Sequence, residues 1–123
     1  MKVQATNAQR MGLVITSNFV EAEDISDALR AYDVRDIVHR STAADAFDLM
    51  SSDRPAPVIA VLSVRDFDDR VAELARWLQS AGSPQILING DEKNAQAHSA
   101  VFLQRPFTDA DLHRSLSDII QPT

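Results

Sequence analysis

The chain has 123 residues, room for one domain and one hydrophobic core, and its 45% hydrophobic and 24% charged content is that of an ordinary globular protein. It contains no cysteine, which excludes disulfides, thiolate nucleophiles and cysteine-held zinc or iron–sulfur sites. A formal net charge of −6, with basic residues scattered among more numerous acids, argues against direct binding of nucleic acid.

The polar segment Met1–Arg10 reads as a flexible lead-in without the apolar stretch of a signal peptide. No apolar run reaches the roughly 20 residues that span a bilayer, so a cytoplasmic protein without a membrane partner is expected. A single domain is expected over 11–121.

Its first element is the apolar run Leu13-Val14-Ile15, opened by Gly12 and closed by Thr16-Ser17-Asn18. Ile25, Ala28, Leu29 and Tyr32 follow at helical spacing and draw one apolar face. Val34 to His39 reads as a strand with interleaved charges, which suits a sheet edge. Ser41 or Thr42 can cap a second helix with the stripe Ala43, Ala46, Phe47 and Met50. After Pro55 and Pro57 comes Val58-Ile59-Ala60-Val61-Leu62, a strand buried on both faces.

Asp66 is the expected cap of a third helix, which buries Val71, Leu74, Ala75 and Leu78 and is ended by Gly82-Ser83-Pro84. Ile86-Leu87-Ile88 is a further buried strand, closed by Asn89-Gly90, and Val101-Phe102-Leu103 is the last. Between them a crossover with its helix needs at least about 10–12 residues. The stretch 90–104 must hold it together with a loop and a strand, so the fourth helix, around Glu92–Ser99, is expected short, frayed or replaced by a loop. Thr108 starts the final helix, with Thr-x-x-Asp as capping signature and Leu112, Leu116, Ile119 and Ile120 as its stripe.

Strands alternating with helices imply a doubly wound, five-stranded parallel sheet covered on both faces, an α/β fold of flavodoxin-like type. In such sheets functional groups gather outside the carboxyl ends of the strands. That singles out Thr16-Ser17-Asn18, Ser63-Val64, Asn89-Gly90 and Arg105.

With Leu103-Gln104-Arg105-Pro106-Phe107 followed by Leu112 and Leu116, the chain resembles the receiver domains of two-component response regulators from Gly12 to Ile120. The resemblance implies a site of two adjacent acids for Mg²⁺, an acceptor Asp, a Ser or Thr, and a Lys before a cis-proline turn. Those places fall on Thr16 and Ser17, Ser63, Asn89 and Arg105. Mg²⁺ is normally held through one or two carboxylates, which Thr16 and Ser17 do not supply. A Ser hydroxyl at 63 needs an adjacent base to be a nucleophile, and none of His39, His98 and His113 is expected there. Arg105 keeps a positive charge as a planar fork, with no evident anionic partner but a ligand or a nearby Asp.

Each candidate has a plainer reading. Ser63 fits a turn former. Asp66, Asp68 and Asp69 fit helix-start residues rather than metal ligands, and Asp24 and Asp27 a solvated helix face rather than a replacement acid. Arg105 fits either an anion site or a salt bridge. Phe102 and Trp77 fit packing as well as they fit a switch residue or an interface anchor. Three glycines and no Gly-rich loop disfavour a nucleotide cradle, and no cofactor or metal is expected.

The expected function is therefore a non-enzymatic pseudo-receiver, a phosphorylation-independent module that docks another signalling protein or a second copy of itself. Its surface is expected at Phe102, Arg105, Pro106 and Phe107. Two alternatives stay open: a regulatory input domain of a larger transcription or second-messenger protein, and a small-anion sensor in the strand-end cleft, using Arg105 with Asn89, Thr16 and Ser17.

Overall fold

A computed structural model describes residues 11–50, 55–88 and 92–120. The expected boundaries at Met1–Arg10 and Gln121, and the position of Asn89, lie outside the described residues. Strands β1 (Met11–Ile15), β2 (Asp36–Arg40), β3 (Ile59–Ser63), β4 (Gln85–Ile88) and β5 (Val101–Leu103) form one parallel sheet in the order β2-β1-β3-β4-β5. Helices α1 (Phe19–Arg30), α2 (Phe47–Met50), α3 (Asp69–Ser80), α4 (Glu92–Ala97) and α5 (Asp109–Ile119) connect them. This is the doubly wound fold that the alternation of apolar runs and helical stripes implies.

Period-two alternation along the strands sorts the core into two layers. Leu13, Ile15, Ala60, Leu62 and Leu87 pack with Leu49, Leu74, Leu78 and Ala95, under α2, α3 and α4. Val14, Ile59, Val61, Ile86 and Ile88 pack with Ile25, Leu29, Leu112 and Leu116, under α1 and α5. Central strands β1, β3 and β4 are buried throughout, whereas the outer strands β2 and β5 are only partly covered. Gly12 is needed where α1 presses on the sheet: a Cβ there would lie 2.9 Å from Val34 Cγ1 and 3.2 Å from Leu29 Cδ1.

Several boundaries differ from the sequence reading. The strand expected over Val34 to His39 runs Asp36–Arg40, and Val34 is fully buried just ahead of it. Tyr32 lies beyond α1, where its hydroxyl donates to the His113 carbonyl at 3.0 Å. The second helix begins as a 3-10 turn, Ala44–Ala46, with Thr42 Oγ1 accepting the Asp45 amide at 3.2 Å. Asp68, not Asp66, caps α3: its carboxylate accepts the Val71 amide at 3.0 Å, and the chain before it is loop. That loop is longer than the cap rule suggested because Phe67 has to reach the core, where it stacks on His98 at 5.4 Å. Gly82 ends α3 at φ +78°, with the Ser83 amide donating to Leu78 O. Short α4 has 6 residues against 12 in α1 and α3, and its end is turned by Ser99 at φ +58°.

Candidate functional site

Thr16 and Ser63 sit just after β1 and at the end of β3, and both are nearly buried, at 2% and 8% exposed. Arg105 reaches them from the turn between β5 and α5, where the Arg105–Pro106 peptide is cis. The fourth member is Glu21, on the first turn of α1 and 9% exposed.

Glu21 Oε1 accepts the Ser63 hydroxyl at 2.5 Å and the Thr16 hydroxyl at 3.0 Å. Its Oε2 lies 2.5 Å from Arg105 Nη2, and the same nitrogen donates to Ser63 Oγ at 2.8 Å. Thr16 Oγ1 in turn accepts the Asn18 amide at 3.1 Å. Across the ring of the edge strand, His39 Nε2 donates to the Thr16 carbonyl at 2.7 Å. Arg105 also lies over the Phe107 ring, 5.9 Å from its centroid, which holds the guanidinium from the solvent side.

Taking a carboxylate out of water costs several kcal/mol unless it is paired and hydrogen-bonded. Here two hydroxyls and a guanidinium meet that demand, and no buried polar atom of the cluster is left without a partner among the described residues. The network ties α1, β1, β3 and the β5–α5 turn to a single carboxylate. Ser63 Oγ gives its proton to Glu21 and takes one from Arg105, an arrangement that fixes its rotamer and leaves it little exposed surface from which to attack another molecule.

Sequence reasoning brought Thr16, Ser63 and Arg105 to one place, and the structure groups them. It did not find Glu21. Asp24, the acid considered as a replacement, is exposed, as is Asp27, which pairs with Arg30 at 2.9 Å. The partner of Arg105, expected to be a ligand or an Asp, is this glutamate. A signal was present: the stripe of Ile25, Ala28 and Leu29, extended back by one turn, lands on Glu21. The two apolar residues before it, Phe19 and Val20, point outward at 72% and 71% exposed. An acid inside and two hydrophobes outside on one turn is the reverse of an amphipathic helix.

The residues expected to share one docking surface are divided by the sheet. Phe102 is half-buried against the layer under α3 and α4, whereas Phe107 packs on the α1 and α5 side. Arg105, Pro106 and Phe107 instead border a groove of about 380 Å³ with Asn18, Val20, Asp24 and Asp109. Ser17 and Arg65 line a separate strand-end cleft of about 260 Å³ beside Thr16, Ser63 and Arg105, and no carboxylate borders it among the described residues. Trp77 is half-buried against the layer under α2, α3 and α4. Among the described residues no three His, Asp or Glu side chains converge as a metal site, and no helix is long and apolar enough to cross a membrane.

No protein-family model matches the chain, and no curated protein matches it significantly. Solved structures do match. A response regulator receiver protein from Burkholderia phymatum superposes at TM-score 0.73 and 20% identity, over 92% of this chain and 96% of its own. A signal receiver domain of a two-component histidine kinase from Clostridium thermocellum gives 0.73 at 12% identity, over 91% and 98%. An adenylate cyclase from Rhodopirellula baltica gives 0.69 at 12% identity, over 91% and 87%. The chain therefore has the flavodoxin-like fold of receiver domains, and at these identities the likeness speaks to the fold alone.

Proposed function

We propose that this chain is a signalling module of receiver type in which an internal carboxylate occupies the phosphoryl site, so that it works by docking a partner protein without being phosphorylated. The observation that carries this is Glu21, whose carboxylate bonds Ser63, Thr16 and Arg105 together. In the receivers that the chain resembles, a charge arriving at the place of Ser63 is read by a hydroxyl and a cation. Glu21 brings a carboxylate to the place of Ser63 from within the chain, and Arg105 is paired with it. Positions 16, 17 and 63 offer no carboxylate for Mg²⁺ or for an acyl phosphate.

A state fixed in this way has no need of enzymatic chemistry, metal or cofactor, and suits a cytoplasmic adaptor that presents one surface. The β5–α5 turn is that surface, with Arg105, Pro106 and Phe107 beside the outward Val20 of α1. Phe102 extends it onto the other side of the edge strand. Val20 is the large hydrophobe exposed at that groove, while Phe19 turns to His39 of β2. The anion-sensor alternative loses its main cation, because Arg105 already has a carboxylate.

Amide NMR spectra of the labelled chain, titrated with Mg²⁺ and then beryllofluoride, test the reading. No saturable shift at Thr16 and Ser63 is expected; saturable shifts there would mean that the pocket still takes a metal and a phosphoryl group.

A further inference from the structure

Arg30, Arg35, Arg40, Arg105 and Arg114 each pair with a carboxylate. Arg65 and Arg70 form no ion pair among the described residues, and both line one cleft of about 290 Å³. That cleft lies between the loop after β2 and the loop after β3, and Ser63 but not Arg105 lines it. Ser17, Ser41 and Thr42 add hydroxyl groups to its wall, and Ala43, Val64 and Val71 give it an apolar floor. Arg70 is steadied by the Phe47 ring, 5.4 Å below its guanidinium carbon.

Two acids also border the cleft. Asp68 accepts the Val71 amide as the cap of α3 and keeps its charge, so Asp66 and Asp68 both stand as opposing charges, though neither forms an ion pair with Arg65 or Arg70 among the described residues. The lining holds two guanidinium forks and two carboxylates, with hydroxyl donors around them, and both forks are left without an ion pair among the described residues. Guanidinium matches the oxygens of a phosphate in bidentate fashion, better than it matches chloride or a spherical anion. The volume stands at the lower end of small-ligand sites, which span about 300–1,000 Å³.

We infer that this cleft is a binding site for a small phosphomonoester, held without transfer of its phosphoryl group by Arg65 and Arg70 and by the hydroxyls of Ser17, Ser41 and Thr42. It shares Ser63 with the Glu21 cluster but draws its cations from Arg65 and Arg70, so different substitutions test the two. Occupancy would tie the loops after β2 and β3 together beside the start of α3, a means for a metabolite to stiffen one side of the molecule.

The test is a titration of the labelled full chain with inorganic phosphate and with ribose 5-phosphate, each against chloride at equal ionic strength. Saturable shifts are expected at Ser41–Ala44 and Arg65–Val71 with either phosphate, ribose 5-phosphate binding the tighter. Arg65→Gln and Arg70→Gln should each weaken binding about tenfold, the loss of one charge-assisted hydrogen bond. Asp66→Asn should tighten it, and Ala44→Phe should block it sterically. Shifts that chloride reproduces, no saturation with either phosphate, or indifference to both arginine substitutions would overturn the site. Ala44, Arg65, Asp66 and Arg70 are exposed, so folded variants are expected, and a thermal melt of each confirms it.

Discussion

Two helices of this protein begin with nearly the same signature and use it differently. In α5, Thr108-x-x-Asp111 closes a reciprocal capping box: Thr108 Oγ1 accepts the Asp111 amide at 3.1 Å, and Asp111 accepts the Thr108 amide at 3.0 Å. In α1, Asn18 caps in the same sense, accepting the amides of Val20 and Glu21. The returning bond is missing, because the Asn18 amide goes to Thr16 Oγ1 instead. Glu21 is thereby released from capping and turns inward to Ser63, Thr16 and Arg105. An acid at the third helical position is a local cap by default. Neighbouring hydroxyls that take over its capping partner convert it into a tertiary anchor.

The largest effect should come from removing the cation on the α1 side. Arg105→Ala strands the Glu21 charge and should cost about 2–3 kcal/mol in chemical denaturation, below the full value for breaking a buried pair because 39% of the Arg105 side chain is exposed. Glu21→Gln keeps acceptor and shape while discarding the charge, with an expected loss of about 1–2 kcal/mol. Ser63→Ala removes one of two hydroxyl donors to Oε1 and should cost about 1 kcal/mol by the same measurement. If Ser63→Ala proved the costliest of these, the hydroxyl rather than the ion pair would organise the site, and the contrast between the two helices would need recasting.

On the α5 side the effect should be smallest and visible mainly in pH dependence. The Thr108 backbone amide, with help from Arg114, holds the Asp111 carboxyl below its ordinary value. A carboxyl whose folded-state pKa is depressed contributes stability that is present above its unfolded pKa and lost as pH falls through the folded one. Asp111→Asn should therefore flatten the acid limb of the stability curve slightly, while leaving the region near neutrality with a small, uniform loss of the cap. An unchanged acid limb would show that the box contributes nothing through charge.

The same contrast explains what could be read from the sequence. Strand runs such as Val58–Leu62 and stripes such as Val71, Leu74, Ala75 and Leu78 report burial through period alone, and the sheet order follows from their alternation. The short α4 was legible from the length of chain between β4 and β5. Thr16, Ser63 and Arg105 were legible as strand-end residues. Glu21 was not, because Asn18-x-x-Glu21 satisfies a local rule perfectly well, and only the contact of residues 21, 63 and 105 across the sheet shows that another rule prevails. Asp66 fails for the opposite reason: a good cap residue loses to Asp68, with Phe67 between them packed against the core. Phe102 faces one layer from within β5, whereas Phe107 lies beyond the strand in the turn to α5 and packs on the other, a division that sequence neighbours alone do not show.

The account stands on the Glu21–Arg105 pair, and a double-mutant cycle measures it most directly. Glu21→Gln, Arg105→Gln and the double variant should be unfolded by urea alongside the parent chain. A coupling energy of about 1 kcal/mol or more, with the double variant more stable than the sum of the single losses allows, is the expected result. Strictly additive losses would mean that the two groups do not sense one another, and that Glu21 does not act as the internal charge of the site.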